Sequence, residues 1–417
     1  MIQRIKGTID VLPDETPLYR MIESVMREEA KNYGFGEIRT PTFENTELFE
    51  RGVGDTTDVV QKEMYTFVDR DENRRISLRP EGTASVVRAL LEHGCQSDPM
   101  PLKYFYLINC FRHEAPQAGR SREFFQFFQF GAELFGAEGA AADATMIALA
   151  SSVFRRLGLK GLTLHLNSIG CKNCRGGYRS ALVDYFGARR EELCDTCKTR
   201  LEKNPLRLLD CKSPVCSAIA KGAPKTIDFL CPDCKAHFET LTRLLDGMGI
   251  RYVIDPAIVR GLDYYTRTVF EFIADGIGAQ STVCGGGRYD GLVEELGGAP
   301  MPAIGFAMGI TRVILALRAQ GIEEPKPAAP RLYIAALGEK ASEAAAVITE
   351  RLRRTGAFVE CDLVGRSLKA QMKYANKIGA DYTLILGDNE LESRRAFLRD
   401  MKNSTQTEVE LDTFTLP

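Results

Sequence analysis

The sequence is poor in several features that would by themselves point to a function. It contains no tryptophan and only four histidines, so a histidine-based catalytic triad or a multi-histidine metal site is poorly supplied. It has no apolar run of about 18 residues, the length that would predict a membrane span. Its first residues lack the apolar core of a secretion signal. We therefore expect a cytoplasmic protein that does not contact a membrane.

The net charge of −2, from 54 basic and 56 acidic side chains, does not indicate a partner either. A strongly basic chain would suggest nucleic acid, whereas here any RNA contact must come from a local patch. The chain has 417 residues, of which 44% are hydrophobic and 26% charged. Length and composition together predict a globular protein of roughly two to four domains.

Cysteine is the residue type that stands out. Eight of the twelve cysteines lie between Cys171 and Cys234. Without a secretion signal we expect reduced thiols rather than a disulfide framework. Two C-x2-C pairs separated by nineteen residues fit a tetrahedral four-thiolate zinc site, formed by Cys171, Cys174, Cys194 and Cys197. The other four cysteines could form a second site, and plain thiols without metal are the alternative.

Shifts in composition predict the domain organisation. Residues 1–170 and 246–322 mix β-prone segments with helices, and we interpret 171–245 as a Cys-rich insertion between them. The segment 321–330, GIEEPKPAAP, contains three prolines and two acids and is the clearest linker. Beyond it, residues 331–417 follow a β-α-β-α-β pattern, which indicates a small domain with a largely parallel sheet.

Three segments that each place an arginine beside glycine or aromatic residues are the strongest indications of a site. They contribute Arg112 in FRHEAPQAGR (111–120), Arg260 in RGLDYYT (260–266) and Arg312 in GFAMGITRV (305–313). Guanidinium groups bind phosphates and carboxylates in a bidentate manner and keep their charge. The pattern therefore suggests a site for a polyphosphate and an anionic substrate group.

Two further segments supply polar side chains. In LRPEGTA, Glu81 and Thr83 present a carboxylate beside a hydroxyl, an arrangement suited to an ammonium group, although an ordinary acidic turn would look the same. Gln129 and Glu133 are four residues apart and would share one face of a continuous strand. Gln126 competes with Gln129, because FFQFFQ repeats after three residues.

Two patterns have a structural and a functional interpretation. We expect GGGRYDGL, residues 285–292, to be a loop that runs into a helix. It could cradle phosphate, although it lacks the P-loop ending, or it could mark close backbone packing. Lys369, Lys373 and Lys377 recur at helical spacing, with Arg366 near the predicted helix start. They form either a solvated helix face or a contact surface for a phosphate backbone.

Taken together, these segments resemble the class II aminoacyl-tRNA synthetases, specifically the bacterial histidyl-tRNA synthetase family, over essentially the whole chain. FRHE with the following GR-x-R-E-F resembles motif 2, and GFAMGITR resembles motif 3. The amino-terminal helix with the strand near Pro41 resembles motif 1. RGLDYYT is the histidine-specific signature, and LRPEGT is shared with the amino-acid site of the family.

The resemblance implies an α+β catalytic domain built on an antiparallel sheet, an inserted mainly helical Cys-rich domain and a C-terminal α/β anticodon-binding domain. It implies a homodimer in which motif 1 builds the interface. It also implies that the enzyme activates L-histidine with ATP and Mg²⁺ to histidyl-adenylate and pyrophosphate. Histidine would then be transferred to the 3′ end of its tRNA. Histidine has a carboxylate that is already ionised, so this attack needs alignment and charge compensation more than a base.

The same resemblance implies two overlapping sets of binding residues. The ATP set is Arg112, Glu114, Arg120 and Arg312. The histidine set is Glu81, Gly82, Thr83, Arg112, Gln129, Glu133, Arg260, Tyr264 and Tyr265. Within them, Arg112 and Arg260 would be catalytic and act on the α-phosphate.

Two departures from the family pattern and three rival functions accompany this interpretation. The second strand of motif 2 carries three extra residues, which we assign to the loop so that Gln129 and Glu133 keep their register. Motif 3 has Thr311 where glutamate is common. The rivals are a regulatory paralogue without an anticodon domain, an RNA-binding protein with a decayed site, and a synthetase for glycine, proline or threonine.

Overall fold

The computed structural model describes residues 1–54, 57–70, 74–113, 125–209, 211, 213–258, 262–276 and 281–417. The chain forms two compact units, Met1–Pro325 and Lys326–Pro417. Their boundary falls inside the proline-containing segment 321–330 that the sequence predicts as a linker. Among the described residues, no helix combines the length and the apolar character needed to cross a membrane.

The first unit contains ten helices among its described residues: α1 Thr16–Asn32, α2 Thr46–Val53, α3 Thr83–Glu92, α4 Ala140–Arg156, α5 Lys172–Gly187, α6 Asp195–Lys203, α7 Pro214–Ala220, α8 Pro232–Gly247, α9 Leu292–Glu295 and α10 Ile310–Ala319. Its described strands are β1 Gly36–Glu37, β2 Phe43–Asn45, β3 Thr66–Val68, β4 Arg75–Leu78, β5 Leu102–Phe111, β6 Gln126–Phe135, β7 Leu162–Ser168, β8 Tyr252–Ile254, β9 Thr266–Ala274, β10 Thr282–Arg288 and β11 Ala303–Gly309. Short 3₁₀ or π turns occur at Val59–Glu63, Cys95–Ser97, Arg190–Glu192, Pro205–Leu208 and Thr226–Phe229.

Eight of these strands form one sheet in the order β1-β5-β6-β11-β10-β9-β7-β8. Every pair from β5 to β7 is antiparallel, and only the two edge pairs, β1 with β5 and β7 with β8, are parallel. The antiparallel sheet implied by the sequence is therefore confirmed. A second, three-stranded antiparallel sheet has the order β2-β4-β3.

The large sheet separates two apolar clusters. One face packs against α1, α4, α8 and α10, through buried side chains such as Ile22, Ile147, Leu241 and Val313. The other cluster is smaller and richer in tyrosine, and includes Tyr106, Tyr264, Tyr265 and Tyr289. Phenol rings bury apolar area but keep a hydroxyl that needs a partner. The second cluster is thus the side on which polar chemistry can be built.

The glycine run does not form the loop that the sequence predicts. Cys284–Arg288 lies within β10, in the centre of the sheet between β9 and β11. A Cβ atom on Gly286 would lie 2.3 Å from the Gly305 carbonyl oxygen, so the neighbouring strand leaves no room for a side chain. The run ends at Arg288, which is fully buried and pairs with Asp143 of α4 at 2.7 Å. Close backbone packing explains these glycines.

The inserted region is mainly helical, as predicted. It consists of α5, α6, α7 and most of α8, joined by 3₁₀ turns. Its own core is small and centres on Tyr178, Leu182, Phe186 and Leu208 together with buried cysteines. A core of this size contributes little stability by itself, which makes additional cross-links valuable.

The second unit contains β12 Leu332–Ala336, α11 Glu339–Arg353, β13 Val359–Cys361, α12 Leu368–Lys377, β14 Tyr382–Leu386, α13 Asp388–Ser393, β15 Arg395–Asp400 and β16 Gln406–Glu410. The predicted parallel part is present, because β12 pairs in parallel with β13 and β14. The hairpin of β15 and β16 was not predicted and makes the sheet mixed. Its polar residues hide the strand pattern, since only Ala396 and Leu398 of the hairpin strands are buried.

Candidate active site

The sheet register brings two of the three predicted arginines to one edge. Phe111 at the end of β5 lies opposite Gln126 at the start of β6, and Gly309 at the end of β11 lies opposite Gln129. Arg112 directly follows β5, and Arg312 lies in the first turn of α10 directly after β11. The third predicted arginine, Arg260, lies outside the described residues, as do Glu114 and Arg120.

Arg112 is oriented by its surroundings. Its Nε donates to the carbonyl oxygen of Pro80 at 2.8 Å, and its guanidinium lies 5.5 Å from the centre of the Phe127 ring. The bond to Pro80 uses Nε and so does not occupy the two outer nitrogens of the fork. The guanidinium also interacts electrostatically with the buried carboxylate of Glu81.

Glu133 is the centre of the pocket floor. Its side chain is fully buried, and three hydroxyls donate to its carboxylate. Thr83 and Tyr106 donate to Oε1 at 2.7 and 3.0 Å, and Tyr289 donates to Oε2 at 2.5 Å. A buried carboxylate held by three donors from three different segments is fixed in orientation.

Burial raises the pKa of Glu133 to about 8, because removal from water disfavours the charged form. The hydroxyls of Tyr289, Thr83 and Tyr106 act in the opposite direction, while the neighbouring charge of Glu81 raises the pKa further. Burial also raises the pKa of Glu81, against the hydrogen bonds that it accepts. Two buried carboxyl groups in one pocket favour a ligand that brings positive charge or N–H donors.

Glu81 caps the helix that follows it. Its carboxylate accepts from the backbone N–H of Thr83 at 2.7 Å and of Ala84 at 2.8 Å, at the amino terminus of α3. The helix dipole and these two donors stabilise a negative charge at this position. The segment LRPEGTA is therefore more than an acidic turn. It supplies the carboxylate of Glu81, and its Thr83 hydroxyl donates to the carboxylate of Glu133.

Glycines in the pocket wall leave room for these side chains. A Cβ atom on Gly305 would lie 1.6 Å from Oε2 of Glu133. Cβ atoms on Gly82 and Gly131 would lie 2.4 and 2.2 Å from atoms of the Tyr106 ring. Gly82 has a φ of −99°. This position therefore requires glycine for close approach of a ring, not for the turn geometry that the sequence suggested.

The register of β6 distinguishes the two glutamines. β6 is continuous, so Gln129 and Glu133 lie on the same face, whereas Gln126 lies on the opposite one. Gln129 is 7% exposed, and its Oε1 accepts from the thiol of Cys110 at 3.4 Å. The histidine-set residues Glu81, Gly82, Thr83, Gln129 and Glu133 therefore come together in one pocket.

Tyr264 and Tyr265 close the other side of the pocket. Both are buried, and the ring of Tyr264 lies 4.6 Å from that of Tyr265 and 5.6 Å from that of Tyr289. The inserted region anchors this segment. Arg175 donates to the backbone carbonyl of Tyr265, and Arg207 donates to the carboxylate of the preceding Asp263 at 2.8 Å.

Two residues of the pocket were missed in the sequence. Tyr106 lies within an apolar, β-prone run, and Tyr289 follows the glycine run. The signal was present in each case: a hydroxyl on the buried face of a strand, and a tyrosine beside consecutive glycines. Neither signal identifies a partner, because Tyr289 and Glu133 are 156 residues apart in sequence.

The eight clustered cysteines form two groups in space. One group contains Cys171, Cys174, Cys231 and Cys234, and the other contains Cys194, Cys197, Cys211 and Cys216. Within each group all sulfur atoms lie within 4.8 Å of one another. The prediction that Cys171, Cys174, Cys194 and Cys197 form one site is therefore wrong. The chain leaves and re-enters the catalytic part at the two ends of the insertion, so its first and last pairs meet.

Comparisons with known proteins cover nearly the whole chain. A family model described as Histidyl-tRNA synthetase matches residues 7–173 and 230–313, and one described as Anticodon binding domain matches 331–415. The interval that the first model leaves out, 174–229, contains the whole second cysteine group, whereas three of the four cysteines of the first group lie within the matched residues.

Full-length relatives agree with the family models. A curated protein named Histidine--tRNA ligase from Acetivibrio thermocellus is 52% identical over 413 residues, which are 99% of this chain and 98% of the relative. One of the same name from Caldanaerobacter subterraneus is 51% identical over 407 residues, 98% of this chain and 97% of the relative. The crystal structure of apo S. aureus histidyl-tRNA synthetase has a TM-score of 0.83 at 39% identity. It covers 99% of this chain and 98% of that one.

Proposed function

Because the chain belongs to the histidyl-tRNA synthetase family and is a histidine–tRNA ligase, we propose that the pocket around Glu81 and Glu133 is its histidine site. The observation that carries this proposal is the pair of buried carboxyl groups. Histidine offers an ammonium group at one end and an imidazole ring with N–H donors at the other. Both ends are complementary to a carboxylate, and few other amino acids share this property.

In the proposed binding mode the ammonium group contacts Glu81 and Gln129, near the start of α3. The imidazole ring lies between Glu133 and the tyrosine pair Tyr264 and Tyr265. A rival amino acid without ring nitrogens would leave Glu133 unpaired with substrate, which costs a few kcal/mol. Binding of histidine favours the ionised form of Glu133 and is therefore coupled to release of a proton from the pocket.

The activation step needs alignment of two anions. The carboxylate oxygen of histidine attacks the α-phosphorus of ATP, the bond to the β-phosphate oxygen breaks, and pyrophosphate leaves. Arg112 would hold both anions in place, Arg260 would act on the α-phosphate and Arg312 on the γ-phosphate. Glu114 and Arg120 would lie near adenosine. Mg²⁺ would arrive with the phosphates, which together with water supply most of its ligands.

Pyrophosphate exchange that depends on histidine tests this assignment. The Arg112→Ala variant should exchange at least about 100-fold more slowly, because it removes a preorganised charge at the transferring group. Arg354→Ala is the matched control, since this exposed arginine directly follows α11 in the second unit. Normal exchange by Arg112→Ala would overturn the catalytic role. Exchange supported equally by other amino acids would overturn the histidine pocket.

The second unit is proposed to bind the anticodon region of tRNA. Lys369, Lys373 and Lys377 are all exposed along α12, and none forms an ion pair with another described residue. Arg366 differs, because it pairs with Asp362 at 2.8 Å and stacks on Tyr374. The three lysines therefore remain as contacts for the phosphate backbone. The affinity for tRNA through this surface would fall steeply as the salt concentration rises.

A homodimer is proposed through the motif 1 region. The small sheet there exposes Phe43, Phe67 and Val68 at 55, 45 and 61%. Three large apolar side chains on a short sheet favour burial against another protein surface.

Zn²⁺, if bound by the thiol groups, would be structural in this enzyme, because four thiolates leave no coordination position for substrate.

A further inference from the structure

The distances between sulfur atoms fit a single tetrahedral ion in each cysteine group. The Sγ atom of Cys171 lies 3.7 Å from that of Cys174 and 3.8 Å from that of Cys231. In the other group, the Sγ atoms of Cys194 and Cys211 are 3.9 Å apart. A zinc–sulfur bond of about 2.3 Å places tetrahedral thiolates about 3.8 Å from one another. All eight cysteines are free thiols in the structure.

The backbone is arranged in the same way in both groups. Cys171, Cys194 and Cys231 are the residues that precede α5, α6 and α8, and the second cysteine of each C-x2-C pair lies in the first turn of that helix. The amino terminus of a helix stabilises a thiolate. Three separate pairs therefore place their cysteines at the start of a helix in the same way.

Amide donors complete the arrangement. The backbone N–H of Cys231 donates to the sulfur of Cys174 at 3.1 Å. The N–H of Cys194 donates to the sulfur of Cys216 at 3.3 Å. Each of these bonds links one C-x2-C or C-x4-C pair to its partner pair across the group. Hydrogen bonds of this kind orient metal ligands and offset their charge.

Charge balance also supports a metal ion in the group of Cys171, Cys174, Cys231 and Cys234. Four thiolates and one Zn²⁺ carry a net charge of −2. The guanidinium of Arg175 interacts electrostatically with Cys171 and Cys174, and that of Arg267 interacts with Cys171 and Cys234. Two cations thus lie beside a site that would need about two positive charges.

We propose that the inserted domain binds two structural zinc ions. The outer ion is held by Cys171, Cys174, Cys231 and Cys234, where the chain leaves and re-enters the catalytic part. The inner ion is held by Cys194, Cys197, Cys211 and Cys216, within the small core of the insertion. The outer ion joins the two ends of the inserted domain, and the inner ion supplements a core too small to be stable alone.

Elemental analysis of the purified full-length protein tests the stoichiometry, and two zinc ions per chain are expected. Replacement of all four outer cysteines by serine should leave one zinc. Replacement of Cys171, Cys174, Cys194 and Cys197 should leave none, because each ion loses two ligands. The pairing by sequence order gives the reverse: none for the first variant and one for the second. The matched control is Cys95→Ser with Cys361→Ser, which should retain both ions.

A second measurement keeps the proposal testable if the variants do not fold. The native protein prepared with Co²⁺ in place of zinc should show the visible bands of tetrahedral cobalt bound by thiolates, at an intensity of two ions per chain. Fewer than two zinc ions in the native protein, iron in place of zinc, the reversed pattern of losses, or cobalt bands of another geometry would each overturn the proposal.

Discussion

The pocket around Glu133 and the inserted domain both bury groups that can carry negative charge, and they stabilise them by different means. In the pocket, hydroxyls donate to Glu133 and backbone amides donate to Glu81, so protein donors already surround both carboxylates. In the insertion, eight thiols face one another in two groups, and backbone amides such as those of Cys194 and Cys231 donate to sulfur atoms across each group. The first region needs no metal, whereas the two proposed zinc ions would hold the second together.

The largest expected effect comes from removing the carboxyl group on which the pocket is built. Glu133→Gln keeps the shape of the side chain but leaves no carboxylate for the imidazole ring. The kcat/KM for histidine in pyrophosphate exchange should fall by about 10³-fold or more, while the KM for ATP stays nearly constant. A loss below tenfold would mean that Glu133 does not contact the substrate ring.

Zinc removal should affect the inserted domain much more strongly than the sheet that carries the pocket. A strong chelator should lower hydrogen-exchange protection in α5, α6 and α7 by about 100-fold, because the small core then opens locally. Protection in β6 and β11 should change little, since their hydrogen bonds do not depend on metal. The KM for histidine should rise, because Arg175 would no longer hold the backbone of Tyr265. Equal loss of protection in both regions would contradict the comparison.

Two tyrosine variants sharpen the description of the pocket. Tyr289→Phe removes the hydroxyl found on Oε2 of Glu133, whereas Tyr106→Phe leaves Oε1 with its bond from Thr83. Loss of a donor to a buried carboxylate costs about 1–3 kcal/mol. In denaturant unfolding, Tyr289→Phe should therefore be the more destabilised of the two. The opposite order would show that Thr83 does not compensate for Tyr106.

The remaining expected effect is a difference in pH dependence. The pKa of Glu133 rises from 4.5 to about 8 on folding. Between these values the folded protein holds a proton that the unfolded chain has lost, so stability falls as pH rises. The stabilising contribution is complete below 4.5 and is lost above about 8. Relative to Glu133→Gln, the native protein should lose up to about 1.4 kcal/mol per pH unit in this window.

Urea unfolding of the native protein and Glu133→Gln at pH 5, 6, 7 and 8 measures this difference directly. Other titrating groups are common to both proteins, so most of their contributions cancel. Parallel stability curves would mean that Glu133 ionises in the folded state as it does in the unfolded chain.

Much of the fold could be predicted because it is encoded in local periodicity. The apolar spacing of α4 and α10 identifies helices, and the runs in β5 and β6 identify strands. The proline-containing linker marks the boundary of the second unit. The hairpin at 395–410 could not be predicted in this way, because its strands bury few side chains. The glycine run of β10 predicts a loop when read from sequence, since glycine carries no strand preference of its own.

The residues of the site also divide into those that local sequence patterns identify and those that only the tertiary structure brings together. Alternation along a strand was enough to place Gln129 and Glu133 on one face, and local turn chemistry was enough to single out Glu81 and Thr83. Sequence by itself thus determined which side chains could carry the chemistry, because strand period and helix capping act over a few residues. Only the tertiary structure decided that Tyr289 reaches Glu133 and that Cys171 meets Cys231. These partners are 156 and 60 residues apart, and no local spacing rule connects segments that the sheet and the insertion bring together.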